Sequence, residues 1–134
     1  MPAPGEVDDA FDRARIAVAG RAWDVAVADT PHLRARGLQG VSDLGPLDGM
    51  LFVFPEVSES AFTMRGTEMA IDVAFFSADG GLVGVVEMVP CSEEPCPSYR
   101  APGPYRYALE AEAGGFAGLS ELVLDPASLP VSGG

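Results

Sequence analysis

The chain has 134 residues, enough for one domain that buries roughly two-thirds of its unfolded surface without metals or disulfides. Its net charge of −12 repels phosphate backbones and anionic lipid, which argues against nucleic acid and membrane surfaces as partners. All 8 basic residues are arginine. That suits anion recognition but follows equally from coding bias, and the acidic excess fits either solubility or salt adaptation.

Residues 1–14 read as a flexible tail, rich in Pro, Gly and Asp at the start. They show no basic start followed by an apolar run, and no later stretch is apolar for long enough to span a bilayer. The chain as given therefore reads as cytoplasmic; an exported protein trimmed of its leader would look the same.

A single domain is expected over residues 15–124. Runs 15–19 and 23–28, split by Gly20-Arg21, predict a hairpin with Ile16, Val18, Trp23, Val25 and Val27 on its buried face. Thr30-Pro31 is a helix-start signal, which predicts a short helix from His32 to Leu38. Met50-Leu-Phe-Val-Phe54, ended by Pro55, predicts a buried central strand. A second strand is expected over 60–65. Runs 71–76 and 82–89 flank Ala78-Asp-Gly-Gly81, the clearest hairpin signal in the chain. Residues 106–113 alternate as a strand. One helical turn follows over 114–119, then a closing strand over 121–124. Residues 125–134 read as a loose tail. This pattern predicts a mainly β fold, a jelly-roll-like sandwich or barrel with one or two short helices.

Residues 88–105 stand apart. They hold both cysteines, and five of the 12 prolines fall here. Proline fixes φ and removes a backbone donor, so this run is a shaped loop and not a helix or central strand. Long loops in compact domains are often functional.

Several blocks carry a resemblance. In order they are Arg34-Ala-Arg-Gly-Leu38, Gly49-Met-Leu-Phe-Val-Phe-Pro55, Phe62-Thr-Met-Arg-Gly-Thr67, Ile71-Asp-Val-Ala-Phe75, Pro90-Cys-Ser-Glu-Glu-Pro-Cys-Pro-Ser-Tyr99 and Tyr107-Ala-Leu-Glu110. They closely resemble the domain of unknown function 192 family, also called uncharacterised protein family 0127, over residues 15–124. The resemblance implies a small jelly-roll-type β-sandwich, with many members exported or lipid-anchored. It implies no established activity. This chain departs in one block: Thr63 stands where the family usually has tryptophan, and Gly66 where it has asparagine.

Chemistry-bearing residues are few. Cys91 and Cys96 lack enough partners for zinc, and His32, the only histidine, is distant in sequence. Their spacing and flanking prolines disfavour a thioredoxin-type pair. Either a local disulfide or two reduced thiols fits. No cofactor or metal is implied. No Gly-x-Ser-x-Gly elbow is present, and His32 reads as a surface residue. Asp72, Glu87 and Glu110 interrupt apolar strands, which places them on a solvent face or beside a partner. Arg36, Arg65 and Asp72 could form one charged network that braces the sheet or lines a cleft. Phe52, Phe54, Phe75 and Phe76 read as core, and only Tyr99 and Tyr105 as contact residues.

Three functions follow from this reading. The first is a non-catalytic binding module for a small molecule or protein. Its candidate residues are Arg36, Met64, Arg65, Thr67, Asp72, Tyr99 and Tyr105, beside the loop that holds Cys91 and Cys96. The second is a carboxylate-dependent enzyme acting on a small molecule or carbohydrate, with Asp72, Glu87 or Glu110 as acid or base. The third is a switch at Cys91 and Cys96. A monomer is expected.

Overall fold

Alternating apolar residues on both sides of a two-residue turn build the first hairpin. Strands β1 (Asp12–Val18) and β2 (Arg21–Ala28) pair antiparallel, with Ile16 opposite Trp23. Ala19 and Gly20 both take positive φ, 54° and 71°, as a primed hairpin turn requires. The turn is thus Ala19-Gly20, one residue earlier than the pattern suggested, and Arg21 joins β2. All five residues expected on the buried face are buried.

The computed structural model describes residues 5–130. After β2 come α1 (Pro31–Arg36), β3 (Gly49–Ser58), β4 (Phe62–Thr63) and β5 (Ile71–Phe76). Then follow β6 (Leu82–Met88), β7 (Ser98–Tyr99), β8 (Tyr105–Glu112) and a 3-10 turn, Pro126–Ser128. The main sheet has the order β1-β2-β3-β8-β5-β6, and β4 with β7 makes a separate two-stranded ribbon. The expected mainly β architecture is present as two unequal sheets. The main sheet is open, with β1 and β6 at its edges, so the barrel alternative does not hold.

Strands β2 and β3 are parallel neighbours. Parallel pairing needs a crossover that leaves the sheet and returns, so α1 and the segment after it must cover one face. Helix α1 starts as expected: Thr30 Oγ1 accepts from Leu33 N at 3.2 Å and Pro31 occupies the first turn. It ends at Gly37, earlier than the expected Leu38, with the Gly37 N–H donating to Leu33 O.

Strand β3 runs past Pro55. Its register against β8 shifts between Val53 and Ser58, so Pro55 sits where no ladder bond is required of it. The second expected strand shrinks to Phe62–Thr63, the helical turn over 114–119 is a series of tight turns, and the closing strand is reduced to one bridge, Leu124 with Val18.

Both faces of the sheet are covered. One face carries Met50, Phe52, Val73, Phe75 and Ala108, packed with Val7, Phe11, Leu38 and Val41. The other carries Trp23, Val25, Leu51, Ala74, Phe76 and Leu109, packed with Phe116 and Leu124. The ribbon lies over the first face, where Phe62 meets Phe52 and Phe75.

The segments expected as tails are anchored where they are described. Val7 and Phe11 are buried, and β1 begins at Asp12. Asp125 N donates to Ala17 O, and Ala17 N to Ser128 Oγ. Residues 1–4 and 131–134 lie outside the described residues.

Candidate functional site

Under the crossover lies a cavity of about 530 Å³. Helix α1 and the residues after it supply Arg34, Arg36 and Gln39; β3 supplies Phe52 and Phe54. The β4 segment adds Phe62 and Thr63, Thr67 follows, and β8 supplies Glu110.

Glu110 is the unusual member. It lies on a central strand, opposite Met50 on one side and Val73 on the other, and is 5% exposed. Its carboxyl makes no hydrogen bond or ion pair among the described residues, and burial alone pushes it up to about 8. Without a partner, ionisation in place is costly, so the group holds its proton at neutral pH. A neutral acid has one O–H to give and oxygen lone pairs to accept with.

The walls are aromatic. The Phe62 ring stands edge-on to Phe52 at 5.1 Å and to Phe75 at 5.5 Å between centroids. Phe54 meets Tyr105 edge-on at 5.2 Å. The rim is cationic. Arg34 lies over the Phe54 ring at 5.1 Å and donates to Val53 O at 2.9 Å, and no carboxylate pairs with it among the described residues. Arg36 is held on its outer side by Asp8, whose carboxyl the Arg36 hydrogen bond pulls below its usual value, and it stacks on Phe11.

Of the residues singled out from the sequence, Arg36 and Thr67 line this cavity. Met64 is buried in the core on the same face. Tyr105, expected as a contact residue, is 1% exposed; its hydroxyl donates to Ser60 O at 2.6 Å and burial raises it above the usual phenol value. Tyr99 pairs with Phe62 across the ribbon, and its hydroxyl accepts from Val89 N at 3.4 Å. Arg65 lies outside, paired with Glu94 at 2.7 Å. Asp72 accepts from Gly114 N at 2.9 Å and so fastens the turn after β8.

The Arg36, Arg65 and Asp72 network therefore does not form, because each has a nearer partner: Asp8, Glu94 and the Gly114 amide. The three carboxylates are also split. Asp72 neighbours Ala111 and Glu87 in register, on the face that carries Ala74 and Phe76. Glu110 neighbours Val73, on the opposite face.

Cys91 and Cys96 are joined in a disulfide, Cα–Cα 5.7 Å. The loop they staple leads into β7, which pairs with β4, and β4 holds Phe62 and Thr63 against the cavity. The proline loop thus buttresses a wall of the cavity from behind. Among the described residues no group of three or more His, Cys, Asp and Glu comes together to hold a metal, and no helix is long and apolar enough to cross a membrane.

Sequence reasoning missed Arg34, Gln39, Phe52, Phe54, Phe62 and Thr63 as site residues. One signal was available for Glu110: it falls in phase with Ala108 on a strand whose other phase is Leu109 and Ala111, so a two-sided strand leaves it no solvent face.

An open mainly β sheet with a crossover helix over a ligand-sized cavity is the class of domain these features define. The chain belongs to the domain of unknown function 192 family, described as uncharacterized ACR, whose pattern matches residues 14–121. It is similar to a protein from Sinorhizobium meliloti 1021 provisionally described as a transcription regulator: 30% identity, 89% of this chain and 97% of that chain covered, TM-score 0.76. It also shares its fold with a protein of unknown function from Novosphingobium aromaticivorans DSM 12444, at 24% identity, covering 86% of this chain and 83% of that chain, TM-score 0.70. No curated protein matches.

Proposed function

We propose that this domain is a non-catalytic binding module whose ligand is a small molecule held in the cavity between α1, β3, β4 and β8. The observation that carries this reading is Glu110: a buried carboxyl with no partner among the described residues, facing a cavity of the size small ligands fill. Such a group is destabilising unless something outside the chain satisfies it. Aromatic walls with a few polar groups are the usual lining of small-molecule sites. The acidic surface is a poor match for nucleic acid, and this weighs against carrying the regulator description of the Sinorhizobium protein over to this chain.

The carboxylate-enzyme reading is strongest where a second carboxylate stands beside the first. The register sets Asp72 and Glu87 on the far face from Glu110, so it draws less support. The switch reading keeps one specific observation: the Cys91–Cys96 disulfide lies behind the ribbon that carries Phe62.

The test is protein-observed NMR with a panel of small aromatic fragments of mixed charge at millimolar concentration. Amide shifts gathered at Phe52, Phe62, Thr67 and Glu110 are expected. Shifts gathered elsewhere, or none from any fragment, would contradict the reading.

A further inference from the structure

We propose that the cavity selects a small planar anion that carries a neutral acceptor oxygen, the oxygen meeting Glu110 and the anionic end meeting Arg34. This deepens the binding-module reading above and rests on it.

Glu110 is the sole carboxylate that lines the cavity, and it meets no cation or backbone donor among the described residues. A buried acid in that setting is a donor at neutral pH, and the ligand atom suited to it is a carbonyl or ether oxygen. An ammonium ligand would have to ionise Glu110 against the cost of its burial, in a cavity that two arginines also line.

The rim points the same way. Arg34 and Arg36 both face the cavity, and among the described residues only Arg36 of the two has a carboxylate partner. Arg34 donates to Val53 O through Nη1 and stacks on Phe54, which holds the guanidinium in place while its other donors meet no partner among the described residues. A planar, preorganised fork of this kind matches a carboxylate or similar oxyanion.

The walls set the middle of the ligand. Phe52, Phe54 and Phe62 line the cavity, so a flat unsaturated body packs well against them. Thr63, exposed on the ribbon next to Phe62, also lines the cavity.

The experiment uses the full chain with its disulfide intact, and the probes 4-acetylbenzoate and benzylamine, followed by calorimetry and protein-observed NMR at pH 7. The expected result is that 4-acetylbenzoate binds at least about tenfold more tightly than benzylamine, with shifts at Phe62 and Glu110. Glu110→Gln, which keeps a donor, should hold the affinity within about threefold; Glu110→Ala should lose about tenfold, and Arg34→Gln at least about tenfold. Dispersed amide spectra for each variant separate lost binding from lost folding, and Glu110→Gln serves as the folded reference.

Benzylamine binding as well as or better than 4-acetylbenzoate, with shifts in the cavity, would overturn the ligand class while leaving the binding site standing. Failure of both probes to enter the cavity, while neutral fragments do enter, would have the same effect. If no aromatic probe of any charge enters, both the class and the binding-module reading fall.

Discussion

Ionised, Glu110 would carry a charge where it is only 5% exposed and has no partner among the described residues, and burial pushes its carboxyl up to about 8 from an ordinary 4.5. Between those two values the folded chain holds a proton that the unfolded chain has released. Stability therefore falls as pH rises through that window and levels off above it, by an amount on the order of a few kcal/mol. Denaturant midpoints measured between about pH 5 and about pH 9 should show this decline, and Glu110→Gln should flatten it. An equal slope in both proteins would contradict the burial argument. Asp8 works in the opposite direction: Arg36 holds its carboxyl low, so its contribution is present above the ordinary carboxylate value and fades as pH falls. Tyr105 makes a second case. Tyr105→Phe removes the hydrogen bond to Ser60 O and should cost about 1 kcal/mol in chemical denaturation, with ligand affinity unchanged. The sequence showed both residues but misplaced their roles. Periodicity within one strand cannot reveal that a second layer covers its other face.

At the scale of elements, the contact between β3 and β8 fixes where Glu110 stands. A Cβ on Gly49 would lie 2.2 Å from the Glu110 carbonyl oxygen, so the strands approach closely only because that side chain is absent. Gly49→Ala should force the strands apart, lower the thermal midpoint by several degrees, and disturb the Glu110 amide in NMR spectra. An unchanged midpoint would mean that the strands have room to spare. The ribbon offers a second test. Closing so short a loop as Cys91–Cys96 stabilises by roughly 2 kcal/mol on the chain-entropy model. Reduction should lower stability by no more than about that amount and broaden signals from Phe62, Thr63 and Tyr99 first. Broadening confined to residues 91–97 would show that the ribbon stands without the staple. The hairpins, the capped helix and the proline loop were legible because turn and capping residues act locally. The short ribbon was not, since Phe62–Thr63 and Ser98–Tyr99 are too brief for any period to register.

For the whole molecule, the decisive feature is the parallel pairing of β2 with β3. It forces α1 across one face and makes the cavity beneath it. Nothing in the apolar runs distinguishes a parallel neighbour from an antiparallel one, so the mainly β class was readable while the strand order and the cavity were not. The family blocks now have physical positions. Arg34-Ala-Arg36, Phe52 and Glu110 meet at the cavity, whereas Pro90 to Tyr99 stands behind the ribbon. The residues that looked most informative in one dimension turn out to support a wall, and one of the three carboxyls that the pattern left between a solvent face and a partner forms the floor.

The most direct test of the account is a crystal structure of the full chain soaked with 4-acetylbenzoate. The ring is expected against Phe52, Phe54 and Phe62, with the acetyl oxygen within hydrogen-bond reach of Glu110 and the carboxylate against Arg34. A ring placed instead against the outer face of the 91–105 loop, with the cavity filled by water alone, would contradict it.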